Sequence, residues 1–265
     1  MTYCVGLRLD RGIVFASDTR TNAGLDNIAT FSKMHVWERQ GNRVLVLLSA
    51  GNLAITQAVI SLIDEAIATR ATSGDVSLLD AATMFQAARL IGSAVQTAME
   101  IEKEAVAANP DLFQSSFIFG GQIAGEGPRL FQIYSQGNFI EASVDTPFFQ
   151  IGEHKYGKPI LDRVAAPGMR MGEAAKLVLL SFDSTLRSNL SVGMPIDLLI
   201  YRRDTLMIGE QRRIEENDPY FRKLSAGWSE ALRDAFARVD EYDGADILTT
   251  PEFDWIGGKR RDVSS

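Results

Sequence analysis

The chain has 265 residues, 46% hydrophobic and 23% charged, with a net charge of -7 and a pI near 5.0. That balance suits a folded domain with a full core, and the acidic charge argues against nucleic acid or an anionic membrane surface as partners. One cysteine, Cys4, and two histidines, His35 and His154, exclude a disulfide framework and a multi-cysteine zinc site and make a His-rich metal centre a poor fit.

The start of the chain lacks a basic segment followed by an apolar one, so no secretory signal is expected. No run reaches the ~18 apolar residues that span a bilayer. The expected compartment is the reducing cytoplasm.

Residues 2–9 alternate, with Tyr3, Val5, Leu7 and Leu9 on one side, which predicts a strand. "LDRG" is a turn, "IVFAS" a short buried strand, and "KMHVWER" and "RVLVLLSA" two more strands joined by "QGN". The pattern then changes to helical spacing. "NLAITQAVISLIDEAIATRA" is one helix. A second, long one is expected over "SLLDAATMFQAARLIGSAVQTAMEIEKEA", opening at Ser77 and Asp80 as an S-x-x-D cap and ending before Asn109-Pro110. "SSFIFGGQI", "RLFQIYS", "NFIEAS" and "FFQIG" return to strands. Helices follow near 156–165 and 171–187, then a hairpin of "IDLLIYRR" and "TLMIGEQ". An amphipathic helix over 218–239 carries Phe221, Leu224, Trp228, Leu232 and Phe236 and is expected to pack on the core or on a neighbouring subunit, the core being the safer reading. A polar tail over 240–265 contains Trp255 and Ile256.

Strands grouped between pairs of helices do not give the alternation of a doubly wound parallel sheet. They predict an α+β fold, a four-layer αββα sandwich of two antiparallel sheets flanked by helices.

The usual nucleophile and phosphate motifs are absent: no G-x-S-x-G, no G-x-x-x-x-G-K-[ST], no G-x-G-x-x-G. Thr2 offers another chemistry. Removal of Met1 would leave a free α-amine on Thr2, with an ordinary pKa of about 7.7–8.0. That amine can act as base for the Thr2 hydroxyl, so one residue supplies nucleophile and base. A strand that starts at the nucleophile would hold it rigidly. Cys4, on the same strand face, is better explained as a small buried hydrophobe.

"TYCVGLRLDRGIVFASDTRTNAG" resembles the start of proteasome β subunits and of the related bacterial ATP-dependent heat-shock peptidase. "MTYCVG", "SDTRTNAG" and "RSNLSVGMPIDLLIY" are especially similar to the bacterial proteasome-related family called Anbu, for ancestral β subunit, over roughly residues 2–210. The resemblance implies the N-terminal nucleophile hydrolase fold and gives residues roles. Thr2 is the nucleophile. Lys33 lowers the pKa at Thr2, and Asp18 holds its charge. The Gly51 N–H is an oxyanion donor, and Ser191 closes the hydrogen-bond network at the amine. Asp18, Lys33, Gly51 and Ser191 each have an ordinary explanation singly, as turn or strand-end residues; their order and spacing behind Thr2 favour function. Arg20 is a candidate for structuring the loop after Asp18.

Three departures from the proteasome β pattern stand out. Lys33 comes one residue early, Gly152-Glu153-His154 replaces a G-S-G turn, and Ser188 replaces an Asp. A carboxylate at Glu153 near the amine would favour its protonated form and oppose Lys33. The expected function is cleavage of peptide or amide bonds through an acyl-enzyme on Thr2. The alternatives are a narrow amidase or isopeptidase, or a self-assembling scaffold with little activity. No cofactor and no metal is expected. Expected partners are copies of the chain in a homo-oligomeric ring or ring-like stack, a peptide or amide substrate and a possible separate unfoldase. The expected division is a hydrolase domain over 2–210 and a C-terminal extension over 211–265.

Overall fold

The structure, a computed structural model, describes residues 2–22, 28–74 and 76–242. The tail with Trp255 and Ile256 lies outside the described residues, as does Met1.

The chain opens with β1 (Tyr3–Leu9) and β2 (Gly12–Asp18), then a ribbon of β3 (Arg20–Asn22) and β4 (Ile28–Thr30) that the sequence pattern does not announce. β5 (Met34–Arg39) and β6 (Arg43–Gly51) follow, then α1 (Leu53–Ser73) and α2 (Met84–Ile101). After the short α3 (Lys103–Ala108) come β7 (Ser115–Ile123), β8 (Arg129–Ile133), β9 (Phe139–Glu141) and β10 (Phe148–Gly152). α4 (Lys158–Val164), α5 (Met171–Ser188), β11 (Ile196–Arg202), β12 (Glu210–Ile214) and α6 (Pro219–Arg238) complete the order.

Two five-stranded antiparallel sheets result, ordered β10-β1-β2-β11-β12 and β5-β6-β7-β8-β9. The fold is thus mixed α+β. Apolar side chains gather in three clusters. One joins β1, β2 and β11 to α5, with Tyr3, Val14 and Phe182. Another joins β6, β7 and β8 to α1 and α2, with Leu47, Phe117 and Ile91. The third lies between the sheets, where Phe15 and Leu199 meet Leu48 and Ile118. β6 and β7 thus bury both faces, which is why they are continuous apolar runs.

The second helix starts later than its sequence cue. Ser77 does not cap it: the Ser77 hydroxyl donates to Asp80 at 2.5 Å, and residues 78–80 make only a short 3-10 turn. Asp80 is drawn to Arg70 and Arg39, and the Ala81 carbonyl accepts from buried Arg43. Thr83 then caps α2, accepting from the Gln86 N–H at 3.1 Å. The final hairpin is also shifted. Leu206 and Asp204 take positive φ, and the Ile208 N–H donates to Glu38, so "TLMIG" forms the connection. The strand is the polar "EQRRI", an edge whose Arg212 and Arg213 pair with the buried carboxylates of Asp218 and Asp197.

The chain divides into two compact units between Ser225 and Ala226, within α6. The sheets and α1–α5 belong to the first. Phe221 and Leu224 pack in the first unit's core as expected, whereas Leu232 and Phe236 are exposed, Phe236 by 83%. Among the described residues no helix is long and apolar enough to cross a membrane.

Candidate active site

Thr2 directly precedes β1, and its carbonyl accepts from the Glu153 N–H at 2.6 Å, continuing the pairing of Tyr3 with Gly152. Gly152 has φ +80, and a Cβ there would stand 1.9 Å from the Thr2 carbonyl oxygen; only glycine lets β10 pass so close. Two sheet pairings thus fix the start of β1.

Asp18 ends β2 and is fully buried. Its Oδ1 accepts from the Tyr3 N–H at 2.9 Å and from Lys33 Nζ at 2.7 Å, and the Gly193 N–H reaches Oδ2 at 3.4 Å. Burial is the largest influence on this carboxyl and holds it above its ordinary pKa, opposed by Lys33 and the two N–H groups. Lys33, just before β5, also donates to the Arg20 carbonyl at 2.7 Å. Its ammonium is therefore fixed from two sides.

A cavity of about 870 Å³ opens at this point, and Thr2, Lys33 and Gly51 all line it. Gly51 ends β6 with φ +110, where a Cβ would lie 2.2 Å from the Gln114 carbonyl oxygen. The next residue, Asn52, caps α1 by accepting from the Ile55 N–H at 3.1 Å. Phe31, Leu53 and Ile60 supply the apolar part of the wall.

The late residues sit differently. Ser191 is half-buried; its N–H donates to Asn189 Oδ1 at 2.9 Å, and it is not among the residues lining the cavity. Ser188 is exposed at the last position of α5. Glu153 is buried, and its Oε2 accepts from Asn189 Nδ2 at 2.9 Å. Arg20 reaches across to the same loop, donating to the Leu190 carbonyl at 3.0 Å. Gly193 makes room for it: a Cβ there would lie 2.1 Å from Arg20 Nε.

Sequence reasoning missed two residues here. Asn189 ties Glu153 to Ser191, and only its place just past a helix end could have signalled that. His35 lines the cavity together with Lys33. Two-residue spacing from Lys33 on a strand was the available cue. His154 by contrast is exposed, with Nδ1 3.2 Å from the Gly152 carbonyl oxygen. Cys4 is buried with its Sγ 3.6 Å from the Ser49 carbonyl oxygen, and burial pushes its thiol far up, away from the reactive thiolate.

Two antiparallel sheets packed with helices thus bring a threonine just before the first strand beside a buried Lys–Asp pair. No family model matches it, and no curated protein does. Solved structures do. A Gly-1 mutant of Anbu from Hyphomicrobium sp. strain MC1 is 61% identical, with 92% of this chain and 100% of that chain covered and a TM-score of 0.85. Anbu (ancestral beta-subunit) from Yersinia bercovieri is 47% identical over 91% of this chain and 98% of that chain, with a TM-score of 0.84. The helical assembly of the Anbu complex from Pseudomonas aeruginosa is also 47% identical, over 92% of this chain and 99% of that chain, with a TM-score of 0.85. The chain belongs to the Anbu family.

Proposed function

We propose that the chain is a threonine-type N-terminal nucleophile hydrolase that cuts peptide or amide bonds. The observation that carries this reading is the meeting of Thr2, Gly51 and an Asp18-held Lys33 on one cavity of about 870 Å³. Once Met1 is removed, the Thr2 amine takes the proton from the Thr2 hydroxyl as Oγ attacks the substrate carbonyl. The Lys33 charge favours the neutral amine and the developing alkoxide. A Gly51 N–H at the carbonyl oxygen would stabilise the tetrahedral oxyanion. The proton passes to the leaving amine, an ester remains on Thr2, and water activated by the same amine releases the acid. The scheme uses no cofactor.

The three core clusters support the four-layer αββα order of this hydrolase class. The hydrolase domain over 2–210 carries an extension over 211–265 that packs on the same domain through Ile214, Phe221 and Leu224, in a cytoplasmic homo-oligomer. A helical assembly is reported for the Pseudomonas aeruginosa relative and supports self-association.

One observation favours a second reading. Glu153 is buried with its backbone N–H on the Thr2 carbonyl, and a carboxylate that reached the Thr2 amine from this residue would hold the amine protonated and slow it as a base. A narrow amidase or isopeptidase, or a scaffold of low activity, fits that better than a general protease.

Intact mass of protein purified from its own host, followed by treatment with a peptide epoxyketone, tests the proposal. We expect loss of Met1 and one adduct on Thr2. Retained Met1, or an unlabelled Thr2, would overturn it.

A further inference from the structure

A second cavity, of about 300 Å³, adjoins the first and shares Ala50, Gly51 and Gly152 with it. The shared wall therefore lies at the nucleophile, because Gly152 packs against the Thr2 carbonyl. It is built from one alanine and two glycines, so an extended substrate backbone can lie over it into both cavities. Their linings differ in chemistry. The larger contains Lys33 and His35 beside apolar groups. The smaller is lined beyond the shared wall by Gln114, Ser115, Ser116, Tyr134, Ser135 and Gln136, with no Asp, Glu, Lys, Arg or His. The Ser135 hydroxyl donates to Gln114 Oε1 at 3.2 Å, which holds that amide in place.

We infer that the smaller cavity is a subsite for the leaving-amine half of the substrate and takes an uncharged, hydrogen-bonding side chain such as Gln, Asn, Ser or Thr. This rests on Thr2 acting as the nucleophile. The acyl half stays bound through both chemical steps and suits the larger cavity. The amine half must leave after the first step and suits the smaller one. A charged side chain here would meet no counter-ion in the lining. An apolar one would leave amide and hydroxyl groups unpaired, the situation in which a polar site rejects a ligand strongly.

The test uses the full chain and four peptides identical up to the bond that is cut. A non-cleavable reduced amide stands at that bond, and the next residue is Gln, Leu, Glu or Lys. Affinities are measured by calorimetry, and cleavage of the matching ordinary amides is followed in parallel. The Gln peptide should bind at least ~10-fold more tightly than the Glu and Lys peptides, with Leu between them. Ser116→Phe, which fills the cavity, should abolish the preference. Ser135→Ala, a smaller change that guards against misfolding of the first variant, should reduce the preference about threefold. Affinities within twofold of one another, no measurable binding of any peptide, or a preference that persists in both variants would overturn the inference. A Gln preference without labelling or cleavage would sink the hydrolase reading and leave the subsite standing. Labelling and cleavage without discrimination would do the reverse.

Discussion

The two sides of Thr2 are held by different means. On one side Asp18 and Lys33 stand at the ends of β2 and β5, and the bonds that fix them run to the Tyr3 N–H and the Arg20 carbonyl. The sheets place these partners whatever the neighbouring side chains do. On the other side Glu153, Asn189 and Ser191 lie in connections after β10 and α5, and one asparagine joins them. Arg20 pins this loop through the Leu190 carbonyl. A charge buried by a sheet is costly to unpair. A loop bridged by one amide is cheaper to loosen.

The largest expected effect is on chemistry. Thr2→Ala should lower amide cleavage by at least about a thousandfold, because nucleophile and base act as one unit. Thermal unfolding should hardly change, since the fixing contact is made by the Thr2 carbonyl. Cleavage that survives the substitution would mean that neither side of the site matters for the activity observed.

The two sides are separated by a pair of stability measurements. Lys33→Met leaves the buried Asp18 carboxylate without its cation and should cost about 3–5 kcal/mol in denaturant unfolding. Asn189→Ala unties Glu153 from the Ser191 N–H and should cost about 1–2 kcal/mol. It should change kcat more than KM, because it moves the Glu153 charge rather than the cavity wall. Equal costs for the two variants would break the distinction between sheet-held and loop-held groups.

The same distinction governed what the sequence could reveal. Thr2, Asp18, Lys33 and Gly51 are legible through the family resemblance, which aligns them with strand boundaries that alternation and turn residues also mark. β10 and β11 are legible as short apolar runs bounded by turn signals. Asn189 was not, because it meets Glu153 only when α5 delivers its C-terminal end beside β10, a closure with no local signature. The second helix starts later than its cue because Ser77 and Asp80 match the S-x-x-D pattern without capping, while Arg39, Arg70 and Arg43 use that segment for tertiary contacts. The last strand was misassigned because apolar "TLMI" outranked polar "EQRRI", and an edge strand needs no apolar face.

The smallest expected effect is on pH dependence and belongs to the sheet-held side. His35 pairs with Leu47 across the β5–β6 ladder, and its ring stacks on Trp37 at 6.4 Å between centroids. Burial pushes its pKa below the ordinary 6.5, and Asp64 opposes the shift. Well above pH 6.5 the imidazole is neutral in both folded and unfolded chains and has no effect on stability. As pH falls through 6.5 the unfolded chain binds the proton first, so folding stability declines. The decline ends below the folded pKa, where both states are protonated. An NMR titration of the His35 ring should therefore have its midpoint below 6.5. His35→Gln should flatten the stability profile in that window by less than the loss caused by Lys33→Met. A midpoint at or above 6.5 would mean that Asp64 outweighs burial, and that this wall of the cavity carries a second cation beside Lys33 at mildly acidic pH.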